Sequence, residues 1–358
     1  KPRRGKIVSI LNRIFIDGLA GMALGLFATL IVGTILDTIG SLLPESVGHW
    51  LSMIAGLCKA FTGAGIGVGV AYKLKESPLV TLSCAAVGMI GAFASKLLAG
   101  AAWEPGVVTL AGPGEPLGAF VAVIAAIECG RLIAGKTKLD ILLVPVFSIL
   151  PGAAVGLLVG PPISKMMTAL GEFINWGTQC QPILMGVIVS AIIGVCLTLP
   201  ISSAALCIIL GLDGIAGGAA VAGCCAQMVG FAVASYRENK IGGLVAQGVG
   251  TSMLQMPNIV KNPRIWIPPT LAAAILGPIS TRVLGMVCGP SGAGMGTSGL
   301  VGQIVTYQSM TAAGFSPAVT LIEMAVMHFI APAVLTLAFS ELLRKKGWIK
   351  FGDMKLDV

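Results

Sequence analysis

The pentapeptides Gly248-Val249-Gly250-Thr251-Ser252 and Gly294-Met295-Gly296-Thr297-Ser298 share the pattern G-x-G-T-S, and a glutamine follows each, Gln255 and Gln303. Both lie in apolar stretches, about 243–257 and 290–312, where Gly, Ser and Thr interrupt what would otherwise be clean hydrophobic helices. Glycine weakens a helix, and Thr and Ser hydroxyls satisfy the backbone groups so freed. Broken helices at membrane depth persist only where they line a cavity or are buried in protein. Small residues alone would serve close helix packing, as in GxxxG contacts. Two copies in paired half-spans, both rich in polar side chains, point instead to a substrate site between two re-entrant hairpins.

The rest of the chain places these segments in lipid. Of 358 residues, 56% are hydrophobic and only 11% charged, with a mean hydropathy of +0.94. An average soluble domain carries about 25% charged residues. That excludes a soluble globular enzyme, a disordered chain and a coiled coil, and leaves an all-α polytopic membrane protein. The net charge of +8 comes from 23 Lys and Arg against 15 Asp and Glu. The basic residues sit in short clusters between apolar runs, as in cytoplasmic membrane loops, so no nucleic-acid partner is expected. Most of the nine cysteines lie inside apolar runs and read as free thiols used as small apolar residues. There is no P-loop, GxSxG, HExxH or CxxC, so no catalytic residues, no metal and no cofactor are expected. The opening Lys1-Pro2-Arg3-Arg4-Gly5-Lys6 does not look like a cleavable signal.

Hydrophobic runs fall at about 14–36, 50–71, 78–98, 117–135, 141–160, 183–199, 201–212, 214–236, 265–287 and 317–342, which makes ten candidate crossings. The positive-inside rule puts the basic start, Lys73 and Lys75, and Arg131, Lys136 and Lys138 on the cytoplasmic side. Arg237 and Lys240, Lys261 and Arg264, and Arg344 to Lys346 belong there too, which requires 201–212 to cross as a separate short helix. The stretch 161–176 mixes Lys165, Glu172 and Asn175 with Ile163, Met166, Leu170 and Phe173 and reads as an interfacial amphipathic helix joining two halves.

Around the repeats the polar side chains are neutral: Gln247, Thr251, Ser252, Gln255, Asn258, Thr297, Ser298 and Gln303. Amides and hydroxyls both donate and accept hydrogen bonds without a net charge, an inventory suited to an uncharged polyhydroxylated ligand such as a sugar. Ionisable residues inside spans are costly and default to functional candidates. Glu323 is the candidate acceptor for a ligand hydroxyl. Glu128, Lys59 and His328 are candidates for coupling or gating, with Lys59 near the level where Glu128 would pair with it. Set against these are a local ion pair of Glu128 with Arg131 and a packing role for His328. Glu323 and His328 are five residues apart, about 140° around an α-helix, so they would not face one site together.

The stretch Gly135-Lys136-Thr137-Lys138-Leu139-Asp140-Ile141-Leu142-Leu143-Val144-Pro145 resembles the cytoplasmic loop and following span of phosphotransferase-system permeases. Gly248 to Asn258, followed by Pro263-Arg264-Ile265-Trp266-Ile267-Pro268-Pro269, resembles one branch of the enzyme IIC superfamily, which includes proteins described as toxin regulators. The resemblance implies a homodimer in the bacterial cytoplasmic membrane with both termini cytoplasmic. It implies a dimerisation domain at 1–160, an amphipathic linker at 161–181, and a transport domain at 182–358 that moves as an elevator past membrane lipid. It further implies import of a sugar or similar small polar solute, phosphorylated by a separate cytoplasmic IIB-like phosphocarrier. A non-phosphorylating ion-coupled transporter, or a membrane sensor on the same fold using Glu128, Glu323 or His328, is the alternative.

Overall fold

The computed structural model describes residues 10–100, 103–104, 107–110 and 112–356. The basic cluster at 1–6 lies outside the described residues, as does part of the expected outer loop at 99–116. Apart from a two-residue strand pair, Trp103–Glu104 with Val107–Val108, the regular structure is helical. Among the described residues five helices are long and apolar enough to cross a bilayer: Ile10–Ser41, Asp140–Thr178, Gly214–Ala234, Pro263–Leu284 and Pro317–Lys345. Glu45–Ala60 and Thr62–Lys73, bent by 53° at their junction, make a sixth if taken as one span. Pro78–Ala92, Pro116–Gly130 and Pro182–Thr198 are apolar but shorter. Prolines open these three and Pro317–Met324, where the missing N–H would have had no partner anyway. The chain divides into two compact units, one reaching Met167 and the other covering Thr168–Asp357.

In the first unit a short helix is squeezed between two others by alternate glycines. Thr62–Lys73 reads TGAGIGVGVAYK. Residues four apart share a helix face, so Gly65 and Gly69 turn one way and Gly63 and Gly67 another. A Cβ on Gly25 of the first helix would lie 2.1 Å from the Gly65 carbonyl oxygen, and one on Gly67 would lie 1.9 Å from the Cys84 carbonyl oxygen of Pro78–Ala92. Backbones this close leave no room for a side chain, and in lipid such contact is what holds helices together.

Asp140–Thr178 runs 39 residues through Pro145, Pro151, Pro161 and Pro162. The separate linker expected at 161–181 is therefore not set off by a break: the winding passes through Pro161 and Pro162 and continues to Thr178. Proline is tolerated in membrane helices because neighbouring groups re-satisfy the freed carbonyl. Beyond it the helix stays one-sided, with Ile163, Gly171, Ile174 and Gly177 buried and Lys165, Met166, Glu172, Phe173 and Trp176 exposed. The boundary between the two units falls within this helix.

Gly214–Ala234 is the centre of the second unit. Its Asp213 cap accepts from the Gly214 amide at 2.7 Å, and nearly every residue from Gly217 to Ala234 is buried. It packs against Pro182–Thr198, Ile267–Pro278 and Ala331–Lys345. The stretch 201–212, expected to cross, holds only the seven-residue helix Ser203–Ile209, about 10 Å long against a hydrocarbon core of about 30 Å. It packs on Pro290–Ala293 instead, and Ser203 Oγ donates to the Gly294 carbonyl at 2.8 Å. Helical winding is interrupted at both repeats. In the first, a π-helical turn at Ala246–Gly250 gives way to extended backbone at Thr251, then the 3-10 turn Ser252–Gln255 and the helix Met256–Lys261. In the second, turns separate Pro290–Ala293 from Val301–Ala312, with Gly296, Gly299 and Leu300 all at positive φ.

Candidate functional site

The charges of the first unit pair among themselves. Lys59 Nζ meets Asp37 Oδ2 at 2.6 Å, and Arg13 bridges Glu76 at 2.6 Å and Glu128 at 2.5 Å. Arg131 adds a longer contact to Glu128 at 3.4 Å. The suggested pairing of Lys59 with Glu128 does not form. Arg13 and Asp37 belong to one helix, Ile10–Ser41, about 36 Å apart along its axis, so Lys59 and Glu128 are held near its opposite ends. Burial pushes the Glu76 carboxyl above its ordinary value, against the pull of Arg13 and Arg131. Replacing Arg13 by Met strands the enclosed Glu76 carboxylate, leaves Glu128 to Arg131 alone, and is expected to cost about 2 kcal/mol. A lowered melting temperature of the purified protein would register it, and an unchanged one would show the bridge to be dispensable.

The first repeat segment is saturated with internal hydrogen bonds. Gln247 Nε2 donates to Ser235 Oγ at 2.9 Å, and Gln247 Oε1 accepts from Gln255 Nε2 at 2.8 Å. Gln255 Oε1 in turn accepts from Asn258 Nδ2 at 2.9 Å. Thr251 Oγ1 caps the following turn by accepting from the Met253 amide at 3.2 Å. The Ser252 and Thr198 hydroxyls lie 2.8 Å apart, and Thr198 leads on to Gln227, whose Oε1 also accepts from Trp266 Nε1 at 3.0 Å. Gln227 Nε2 donates to Thr270 Oγ1 at 3.0 Å. Gln247, Gln255 and Asn258, expected to bind substrate, are thus bound to one another. Thr198, Gln227, Trp266 and Thr270, which complete the network, were not singled out in the sequence.

The second repeat is different. Its Ser298–Leu300 turn touches Ala246–Gly250 of the first, and Thr297 Oγ1 reaches only Met228 Sδ, at 3.6 Å. Gln303 Nε2 lies 3.2 Å from His328 Nδ1 and 3.4 Å from Cys225 Sγ. Ser298 Oγ, Gln303 Oε1 and His328 Nε2 are all enclosed, and none has a partner among the described residues. Buried polar groups are nearly always paired, because an orphan costs about 1–3 kcal/mol. With the Gln303 amide donating to Nδ1, His328 Nε2 carries the ring proton and is a free donor, while Gln303 Oε1 is a free acceptor. A free donor and a free acceptor on two contacting side chains suit a ligand whose hydroxyl groups both donate and accept.

His328 lies in Ala325–Ile330, which is wound as π-helix. The 100° step that separated it from Glu323 in sequence does not hold through such a turn, whose bonds join residues five apart. Glu323 Oε2 is enclosed and also lacks a partner among the described residues. No cluster of three or more His, Cys, Asp or Glu suited to a metal occurs among the described residues.

The sequence was also compared with known proteins. A search of curated proteins finds no match. A family model described as phosphotransferase system, EIIC, matches residues 16–356 and so takes in both units and both repeats. With its apolar helices, this coverage means that the chain belongs to the EIIC family of the phosphotransferase system, whose members are membrane-integral permease components.

Proposed function

We propose that the chain translocates a sugar or similar uncharged polyol across the bacterial cytoplasmic membrane, as a homodimer with both termini inside and with a separate IIB-like phosphocarrier as its phosphoryl donor. The first unit is the dimerisation scaffold, and the second is the transport domain that moves as an elevator. The two repeats are its re-entrant hairpins. The observation that carries the reading is the unpaired enclosed polar atoms on Ser298, Gln303 and His328 in and against the second repeat, in contrast to a first repeat whose own polar groups are bonded to one another. Substrate hydroxyls bind there, with Thr297 and Glu323 alongside, while Gln247, Thr251, Ser252, Gln255 and Asn258 hold the opposing tip in shape.

Thermal unfolding of the purified protein against a panel of hexoses, hexitols and disaccharides tests this. At least one is expected to raise the melting temperature in a saturable way, and a flat response across the panel would overturn the proposal. The enclosed, unpartnered Glu323 Oε2 favours a second reading, ion-coupled transport without phosphorylation. Uptake into proteoliposomes separates the two: transport that needs no phosphoryl donor and collapses with the proton gradient belongs to the second reading alone.

A further inference from the structure

Beyond the last long helix, residues 348–356 lie along the first repeat segment and are gripped by its side-chain amides. Asn262 Nδ2 donates to the Trp348 carbonyl at 3.0 Å and to Asp353 Oδ2 at 2.8 Å. Asn239 Nδ2 donates to the Met354 carbonyl at 2.8 Å while its Oδ1 accepts from the Leu356 amide at 2.8 Å. Gln255 Nε2 reaches the Met354 carbonyl at 3.0 Å, and Asn258 Nδ2 the Lys355 carbonyl at 2.8 Å. The Glu238 carboxylate, buried against Arg344 at 2.9 Å, accepts from the Gly352 amide at 3.3 Å. Except for Asp353, every partner is backbone. That is recognition of a peptide chiefly through its main chain. Ile349 and Met354 insert as apolar plugs, 2% and 1% exposed.

The segment that grips residues 348–356 is wound as a series of short, interrupted helical turns. Lys240 is kinked at φ 53°, ψ −151°, the π-helical turn follows, and Thr251 is extended. Its order comes from bonds to residues nearly a hundred positions away. The same amides continue inward, since Gln255 also holds Gln247 and Asn258. Arg264 and Lys346 lie over the Trp348 ring, and Arg237 pairs with Glu341 of the last long helix. The positive-inside rule makes this the cytoplasmic end, where water can take over the amide bonds when the peptide leaves.

We infer that the first repeat segment carries a peptide-docking cradle and that residues 348–356 are its built-in occupant, a latch that holds this hairpin closed when docked and frees it when lifted. The inference rests on reading the hairpin as a moving part of a permease. Release loosens 236–262 and leaves the second repeat as it was.

Hydrogen–deuterium exchange on the full chain in lipid nanodiscs tests it, comparing the wild type, the Asn239→Ala/Asn262→Ala double variant and a chain ending at Lys346. Both variants are expected to exchange about tenfold faster across 236–262, with Gly214–Ala234 and Val301–Ala312 unchanged. Added peptide of sequence 347–358 should restore protection to the shortened chain. Should that chain fail to fold, the double variant carries the test alone. Wild-type exchange rates across 236–262 in the variants would overturn the inference. So would equal acceleration across the whole unit, which would make the segment ordinary structure. Polyol binding by the wild type is scored separately: its absence sinks the proposed function, while unchanged exchange with intact binding sinks the latch alone.

Discussion

Alanine at Gly296 is expected to destabilise the protein by about 3 kcal/mol, enough to lose most monodisperse material on purification. Gly296 has φ +54°, and a Cβ there would stand 2.8 Å from Cys224 Cβ and 2.9 Å from its carbonyl carbon. Two costs add. A left-handed backbone costs an L-residue about 1–2 kcal/mol, and Cys224 sits in the core of Gly214–Ala234, where neighbours cannot yield. The first glycine of the other repeat gives the control. A Cβ on Gly248 would meet only Ala232 Cβ at 3.6 Å, an ordinary contact. Gly248→Ala is therefore expected to be neutral or to stabilise by up to about 1 kcal/mol, through the entropy of the unfolded chain. Melting temperatures of the two variants side by side decide it. Equal losses would show that the glycines act through a shared helix-breaking role and not through the packing of one.

That contrast marks how far the sequence could be read. The repeat and its broken helices were legible because Gly, Thr and Ser interrupt apolar runs in a local pattern. The unequal duties of its copies were not. Whether Gln255 or Gln303 is free depends on partners far along the chain: Met354 and Asn258 for the first, Cys225 and His328 for the second. The helical nature of the apolar runs followed from composition, since an apolar run in lipid has little choice but helix. Failures came where a local rule met tertiary compensation. The run 201–212 reads as a crossing helix, yet only Ser203–Ile209 is wound there, packed on Pro290–Ala293. Lys59 and Glu128 looked close in hydropathy level, but the Arg13 and Asp37 ends of one helix claim them separately.

Replacing Gln303 by Met together with His328 by Phe is expected to stabilise the ligand-free protein by about 1 kcal/mol while weakening polyol binding at least tenfold. The opposite signs are the point. Each orphaned polar atom in this enclosure costs free energy in the empty protein, and removing both partners of the Gln303–His328 contact with similar-sized apolar groups removes orphans without creating a new one. Thr198→Val supplies the contrast. Thr198 stands in a satisfied chain between Ser252 and Gln227, so its loss strands the buried Ser252 hydroxyl, while Gln227 keeps Trp266, and is expected to cost about 1–2 kcal/mol. A packing histidine would behave like Thr198, with mutation lowering the melting temperature and leaving any polyol shift intact. A ligand-binding histidine trades stability for function, as strained and unsatisfied groups at binding sites do. Melting curves of both variants with and without the polyol that stabilises the wild type separate these roles. A destabilised Gln303→Met/His328→Phe protein that still binds would return His328 to the core.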